Sequence, residues 1–223
     1  MLVNQFMTAN VVTIDAEKNI LEAREYMRCK GLRRIPVVDD IGRVRGIITN
    51  SDINRSCPSE ATTLSRYEAS YLLSKLRVQD VMSKNVITVK DNAGVEDAAY
   101  LLYQYKINAL PVLNEEGKLC GIITDSDIFR AFVEVMGLAR NSTRITIDVT
   151  DKIGVVAEVG GMFRDHGINI ISIVSMPGIG DEDNPKSELT IRADLTNHGL
   201  DIIQMLRDAG YEVTDISTVN SRE

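Results

Sequence analysis

Thr49 and Asp52 stand three residues apart at the end of an apolar run, and Thr124 and Asp127 repeat the arrangement 75 residues later. Each pair lies in an octet, GIITNSDI at 46–53 and GIITDSDI at 121–128, and the octets differ only at Asn50 against Asp125. A Thr and an Asp where a strand gives way to a helix can do two things. They can cap the helix, accepting hydrogen bonds from its first free N–H groups. Alternatively, those N–H groups and the threonine hydroxyl can receive a phosphate, while the carboxylate accepts hydrogen bonds from ribose hydroxyls. Capping accounts for one polar residue. It does not require the string Gly-Ile-Ile-Thr-x-Ser-Asp-Ile-x-Arg to be written twice, and that favours ligand binding.

Other candidates for chemistry are weaker. Cys29, Cys57 and Cys120 have no metal-like spacing and read as free thiols in a reducing cytoplasm. His166 falls near a helix end and His198 at a helix start, where capping or dipole roles suffice. GIG at 178–180 lies in a polar, Pro-bounded loop, so it is not a dinucleotide fingerprint, and GVVAEVGG lacks the Lys of a P-loop. No nucleophile–base set and no paired-carboxylate site can be placed, so the chain reads as a non-enzyme with no catalytic cofactor or metal.

The elements that must hold the octets are themselves duplicated. With the same offset and no gap, Met7, Asn10, Val11 and Thr13 fall on Met82, Asn85, Val86 and Thr88; Ala23, Pro36, Gly42 and Arg55 fall on Ala98, Pro111, Gly117 and Arg130. Two copies of one unit are present. Each reads as strand, helix, strand, strand, helix. NVVTID and NVITVK are β-rich, while Ile20, Ala23 and Met27, like Val95, Ala98 and Leu102, follow i, i+3, i+7 and predict an amphipathic helix. IPVVD and LPVLN are short buried strands, Gly42 and Gly117 suit hairpin turns, and GIIT returns. The closing helices are expected from Asn54 onward and over 127–136. Between the copies, Pro58 and a Ser/Thr cluster predict a loop and residues 64–76 a helix, with Leu64, Tyr67 and Tyr71 on one side.

MTANVVTID, RRIPVVDDIGRVRGIITNSDI and their second copies resemble a pair of CBS (cystathionine-β-synthase) motifs. The resemblance implies a pseudo-twofold module with two clefts that commonly take adenine nucleotides, AMP, ADP, ATP or a related adenosyl ligand. Carried over, Asp52 and Asp127 take ribose and Thr49 and Thr124 the phosphate side. Surroundings of Thr13, Thr88, Ile35, Pro36, Leu110 and Pro111 line the base. Arg33 and Arg34 stand opposite Asn108 and Ala109; the Arg pair either neutralises phosphate through charge-assisted bonds or forms a solvated basic surface. The insert LSRYEASYLLSKLRVQDVM is similar to the corresponding stretch of acetoin-utilisation AcuB-type proteins.

After residue 140 the text changes. TRITIDVTD alternates Ile145, Ile147 and Val149; KIGVVAEVGGMFRDHG is a helix expected to turn Val155, Val159 and Met162 inward. INIISIVSM and SELTIRADL are strands around the loop PGIGDEDNP, and a second helix and a strand close the order β-α-β-β-α-β, which is ferredoxin-like. DVTDKIGVVAEV followed by HGINIISI resembles an ACT domain. That family frames an amino-acid site, often at a subunit interface, with residues matching Asp151, Gly154, Asn169 and Ile170. The plainer reading is that Gly154 starts a helix and Asn169 satisfies a strand end.

The expected architecture is α/β and α+β: CBS motifs over 1–56 and 78–137, a linker helix region over 57–77, and an ACT domain over 143–218. A net charge of −7 opposes broad phosphate-backbone contact, so no nucleic-acid partner is expected. No run of ~18 apolar residues suggests a membrane span, and MLVNQFMTAN does not read as a signal peptide. The reading is a cytoplasmic regulator sensing an adenine nucleotide, with an ACT unit for dimerisation or amino-acid sensing, acting as a homodimer on a client protein. A structural dimerisation module without ligand, and an unrecognised enzyme, are the alternatives.

Overall fold

The computed structural model of the chain describes residues 1–57, 66–138, 141–178, 186–195 and 199–219. The loop expected at Pro58, Leu64, most of the loop before Lys186, and His198 lie outside these residues. The chain divides into two units, Met1–Arg130 and Ala131–Glu223.

The first unit holds both octets. Its first half runs α1 (Val3–Phe6), β1 (Thr8–Ala9), β2 (Ile14–Asp15), α2 (Ile20–Lys30), β3 (Arg34–Val38), β4 (Val44–Thr49) and α3 (Asn50–Ser56). After α4 (Arg66–Lys75), the second half repeats this as α5 (Val78–Val81), β5 (Val89–Lys90), α6 (Val95–Tyr105), β6 (Ala109–Leu113), β7 (Leu119–Thr124) and α7 (Asp125–Val135). In α2 the residues at i, i+3 and i+7 (Ile20, Ala23, Met27) are buried, as are Val95, Ala98 and Leu102 in α6. They pack onto Ile35, Val37 and Ile48 in the first half and accompany buried Leu110, Val112 and Ile123 in the second. Each fully buried Ile, Leu or Met contributes about 1.5–3 kcal/mol relative to exposure.

Two expectations change in detail, and the linker tyrosines, open to either exposure or docking, face solvent. The run NVVTID pairs only at Ile14 and Asp15, because Asn10 adopts a left-handed φ of 54° and breaks the chain away from β1. The closing helix of the first half begins at Asn50, not Asn54, since Thr49 already caps it. The linker helix buries Leu73, whereas Tyr67 and Tyr71 point to solvent; Lys75 sits over the Tyr71 ring, 5.1 Å from its centroid.

The two halves are interlocked. β1 of the first half pairs antiparallel with β7 of the second, Thr8 opposite Ile122 and Ala9 opposite Gly121. Offset by 75 residues, Ser83 of the second half bridges Ile47 of the first, with N–H···O distances of 2.9 and 3.0 Å. Met7 then lies over Gly121 and Met82 over Gly46, so closely that a Cβ on either glycine would come within 2.3 Å of the sulfur. A side chain at Gly46 would collide with the Met82 side chain, and one at Gly121 with the Met7 side chain, beside the joint between the halves.

The second unit comprises β8 (Ser142–Thr150), α8 (Val155–Asp165), β9 (Ile170–Pro177), β10 (Lys186–Ala193), α9 (Gly199–Asp208) and β11 (Glu212–Val219). Its antiparallel sheet has the order β11-β8-β10-β9, the ferredoxin-like arrangement. Ile145, Ile147 and Val149 alternate into the core as the pattern requires. The inward stripe of α8 is Val155, Val159 and Phe163 at i, i+4, i+8; Met162, expected inside, is at its margin.

Candidate functional site

Thr49 and Asp52 form a reciprocal cap at the start of α3. The Asp52 N–H donates to Thr49 Oγ1 at 3.2 Å, while Thr49 N–H and its hydroxyl donate to Asp52 Oδ2 at 2.9 and 2.7 Å. Arg55, one turn on, pairs with Asp52 Oδ1. The second copy is nearly superposable in its chemistry. Thr124 N–H and hydroxyl donate to Asp127 Oδ2 at 2.9 and 2.7 Å, Asp127 N–H donates to Thr124 Oγ1 at 3.4 Å, and Arg130 reaches Asp127 Oδ1 at 3.1 Å. Arg130 also donates to the Phe6 carbonyl at 2.6 Å. Asp52 is 6% exposed, and the side chain of Asp127 is 13% exposed. Capping is therefore realised twice, and each carboxylate pairs with a neighbouring cation.

Strand register brings further groups to the turn. Arg34 opens β3 directly opposite Thr49, and Ala109 opens β6 opposite Thr124. The Asn50 N–H donates to the Arg33 carbonyl at 3.1 Å, and the Asp125 N–H to the Asn108 carbonyl at 3.2 Å. Because the halves interlock, the chain following Ser83 is delivered beside Thr49 and Asp52 of the other half. The result is an open cleft of about 280 Å³. The first half lines it with Arg34, Ile47, Thr49 and Asp52, and the second with Ser83, Asn85, Val86, Ile87, Lys106, Ile107, Asn108 and Ala109.

Of the residues named from sequence, Arg34, Thr49, Asp52, Asn108 and Ala109 meet in this cleft. Thr124 and Asp127 hold the equivalent turn in the other half. Ile35, Pro36, Leu110 and Pro111 are buried within β3 and β6. Arg33 is exposed. Thr13 borders a separate surface hollow beside α2, and Thr88 immediately precedes β5. Asn85, Val86, Ile87 and Lys106 were not expected. For Asn85 and Val86 a signal existed, since Asn10 and Val11 repeat them, but repetition does not say which half they serve.

The electrostatics of the cleft are cationic at its rim. Burial lowers the Arg34 pKa, the Asp125 carboxylate raises it and Arg33 lowers it again; a guanidinium stays charged throughout. Lys106 is held in the left-handed region, φ 52°, at the C-cap of α6, where the first half has Gly31 at φ 65°. A side chain there costs about 1 kcal/mol, and strain of this kind often marks a functional position. Lys106→Gly is expected to raise the thermal midpoint by about 2–4 °C while weakening any anion in the cleft. A lower midpoint in a thermal scan would show that the lysine stabilises the fold instead.

In the second unit the residues of the expected amino-acid site lie at two ends of the sheet. Asp151 and Gly154 follow the end of β8 at Thr150, whereas Asn169 and Ile170 begin β9. Through β10, Ile170 stands level with Thr143, the opposite end of β8. At ~3.3 Å per residue the two halves are roughly 23 Å apart along the sheet. Gly154 has φ 91° and precedes α8; Asp151, Gly154 and Asn169 are exposed. The His166 ring Nδ1 lies 3.0 Å from the Met162 carbonyl oxygen at the end of α8, consistent with a capping role.

The CBS domain family matches residues 3–58 and 78–134, and the ACT domain family matches residues 143–192. A CBS domain-containing protein of Dictyostelium discoideum is 30% identical over 135 residues, covering 60% of this chain and 93% of that protein. CBSX2 of Arabidopsis thaliana, solved in complex with AMP, superposes with a TM-score of 0.50 at 29% identity, over 60% of this chain and 97% of the other. AcuB of Vibrio cholerae gives 0.51 at 27% identity, over 62% and 94%. The chain also matches enzymes, homoserine O-acetyltransferase and inosine-5'-monophosphate dehydrogenase among them, but spans only 23% of their length. Two interlocked copies of one octet-bearing repeat, matched over half the chain, place this protein in the CBS-domain family, as a tandem CBS pair followed by an ACT domain.

Proposed function

We propose that this protein is a regulator that senses an adenine nucleotide or related adenosyl ligand in the clefts of its CBS pair. The carrying observation is the cleft in which Thr49, Asp52 and Arg34 of one half face Asn85, Lys106 and Asn108 of the other. A carboxylate, a hydroxyl, two amides and two cations in one concavity suit ribose and phosphate together. The AMP complex of CBSX2, which shares the fold, supports the choice of ligand. Because the cleft is built from both halves, a bound nucleotide bridges them and favours whichever relative packing it contacts best. Among the described residues no group of three or more His, Cys, Asp or Glu is placed to hold a metal, and no helix is long and apolar enough to cross a membrane. We read the chain as regulatory rather than catalytic, acting on a client protein. Titration calorimetry with AMP, ADP, ATP and S-adenosyl ligands tests this directly. Binding of at least one at micromolar concentration is expected.

One observation favours a second reading. The Thr and Asp side chains already satisfy each other as caps, so a scaffold without ligand would also retain them. Absence of heat with every nucleotide at high micromolar concentration would select it.

We further propose a homodimer. α7 leaves Phe129, Phe132 and Val133 exposed at i, i+3, i+4, and α6 exposes Tyr100 and Tyr103; such apolar surface marks interaction sites. β9 and β11 are open edges of the ACT sheet, which profit from cover. A second chain is also the means by which Asp151 and Gly154 of one ACT unit can meet Asn169 and Ile170 of another to frame an amino acid. Light scattering is expected to give twice the 24.7 kDa chain mass; a monomer at micromolar concentration would end this reading.

A further inference from the structure

Arg34 has no cationic counterpart in the second repeat. The 75-residue offset maps Arg34 onto Ala109, and both residues line the cleft that holds Thr49 and Asp52. Applying the offset, whatever lines this cleft has its counterpart in the cleft at Thr124 and Asp127. Since Ala109 borders the first cleft, the repeat assigns its counterpart Arg34 to the turn at Thr124 and Asp127 as well. The repeat supplies only the small Ala109 as its mate.

The neighbourhood of Arg34 points both ways. In the first cleft it stands opposite Thr49 across β3 and β4. On the second side the Asp125 carboxylate acts on it electrostatically; Asp125 directly follows Thr124 and replaces the neutral Asn50 of the first half. The remaining charges are unequal. Lys106 lines the first cleft where its counterpart is Gly31, and by the same offset Arg33 takes the place of Asn108.

We infer that Arg34 is a single phosphate-binding cation shared by the two clefts, so that a phosphate-bearing nucleotide in one weakens phosphate binding in the other. A guanidinium can point its five donors toward one phosphate or swing to its neighbour, and once captured it leaves Asp125 unneutralised in the second cleft. The effect is confined to ligands with phosphate. Adenosine, which lacks it, fills both clefts independently.

This inference rests on the nucleotide-binding reading, and the full-length chain can separate the two. Each cleft is isolated by disabling the other: Asp127→Ala leaves the first cleft, Asp52→Ala the second. Arg34→Gln is then introduced into both backgrounds, and AMP and adenosine are titrated by calorimetry. Loss of a charge-assisted hydrogen bond predicts at least tenfold weaker AMP binding in both backgrounds, with adenosine changed less than twofold, which also reports that the fold survives. Lys106→Gln, as a control, weakens AMP only in the Asp127→Ala background. A loss of AMP affinity in one background alone, or an equal loss for adenosine, overturns sharing while nucleotide binding stands. No heat from either ligand with the unsubstituted protein removes the nucleotide reading itself, and the inference with it.

Discussion

Asp52→Ala is expected to weaken AMP binding at the first cleft at least tenfold, and Asp127→Ala to do the same at the second. Each carboxylate pairs with the arginine one turn on, Arg55 or Arg130. Hydrogen bonds from ribose hydroxyls to a charged group are worth about 1.5–3 kcal/mol, which converts to a factor of roughly ten to a hundred. The same substitution removes half of a capping box, so about 1 kcal/mol of stability should go with it. Stability loss and affinity loss are separable: Thr49→Ser keeps the cap oxygen and should retain most of both. Calorimetric affinities unchanged in both aspartate variants would leave these residues with capping as their sole role.

Gly46→Val should have the largest effect on the fold. Its Cβ would fall 2.3 Å from Met82 Sδ and 2.9 Å from Met82 Cγ, inside the joint where Ser83 bridges Ile47. Overpacking of this kind costs about 1–3 kcal/mol. The local consequence is sharper than the global one, because displacing Met82 pulls away Asn85, Val86 and Ile87, one wall of the cleft. Nucleotide affinity at that cleft is expected to fall more than tenfold, with the second cleft less affected. Met82→Ala opens space for the new side chain, so the double variant should recover part of the stability, and the coupling energy in a denaturation double-mutant cycle should exceed about 0.5 kcal/mol. Strict additivity would mean that the glycine is required for another reason.

How far the sequence reaches depends on the range of the interaction concerned. The Thr-x-x-Asp turn is local: three residues separate donor from acceptor, and the cap at Thr49 or Thr124 follows wherever a strand runs into a helix. The buried faces of α2 and α6 were readable for the same reason, since Ile20, Ala23 and Met27 align on any helix regardless of its surroundings. α8 shows the margin of that method, for Met162 and Phe163 are neighbours at the edge of one stripe, and packing chose Phe163. Interruption of NVVTID by the left-handed Asn10 was not readable, because strand propensity carries no information about where a partner edge is available.

The partner of each repeat's first segment lay beyond the sequence altogether. An ungapped duplication makes Gly46 and Gly121, or Met7 and Met82, equivalent as text, so docking within a repeat and docking across repeats satisfy the same pattern. Only the three-dimensional path of the chain, which lays β1 on β7 and Ser83 on Ile47, chooses the crossed arrangement. That choice draws Asn85 and Lys106 into the cleft of Thr49 and Asp52. In the second unit the order β-α-β-β-α-β was legible, yet the register that holds Asp151 and Asn169 at opposite ends of the sheet was not, because it is set by antiparallel pairing through β10, a contact between residues distant in sequence.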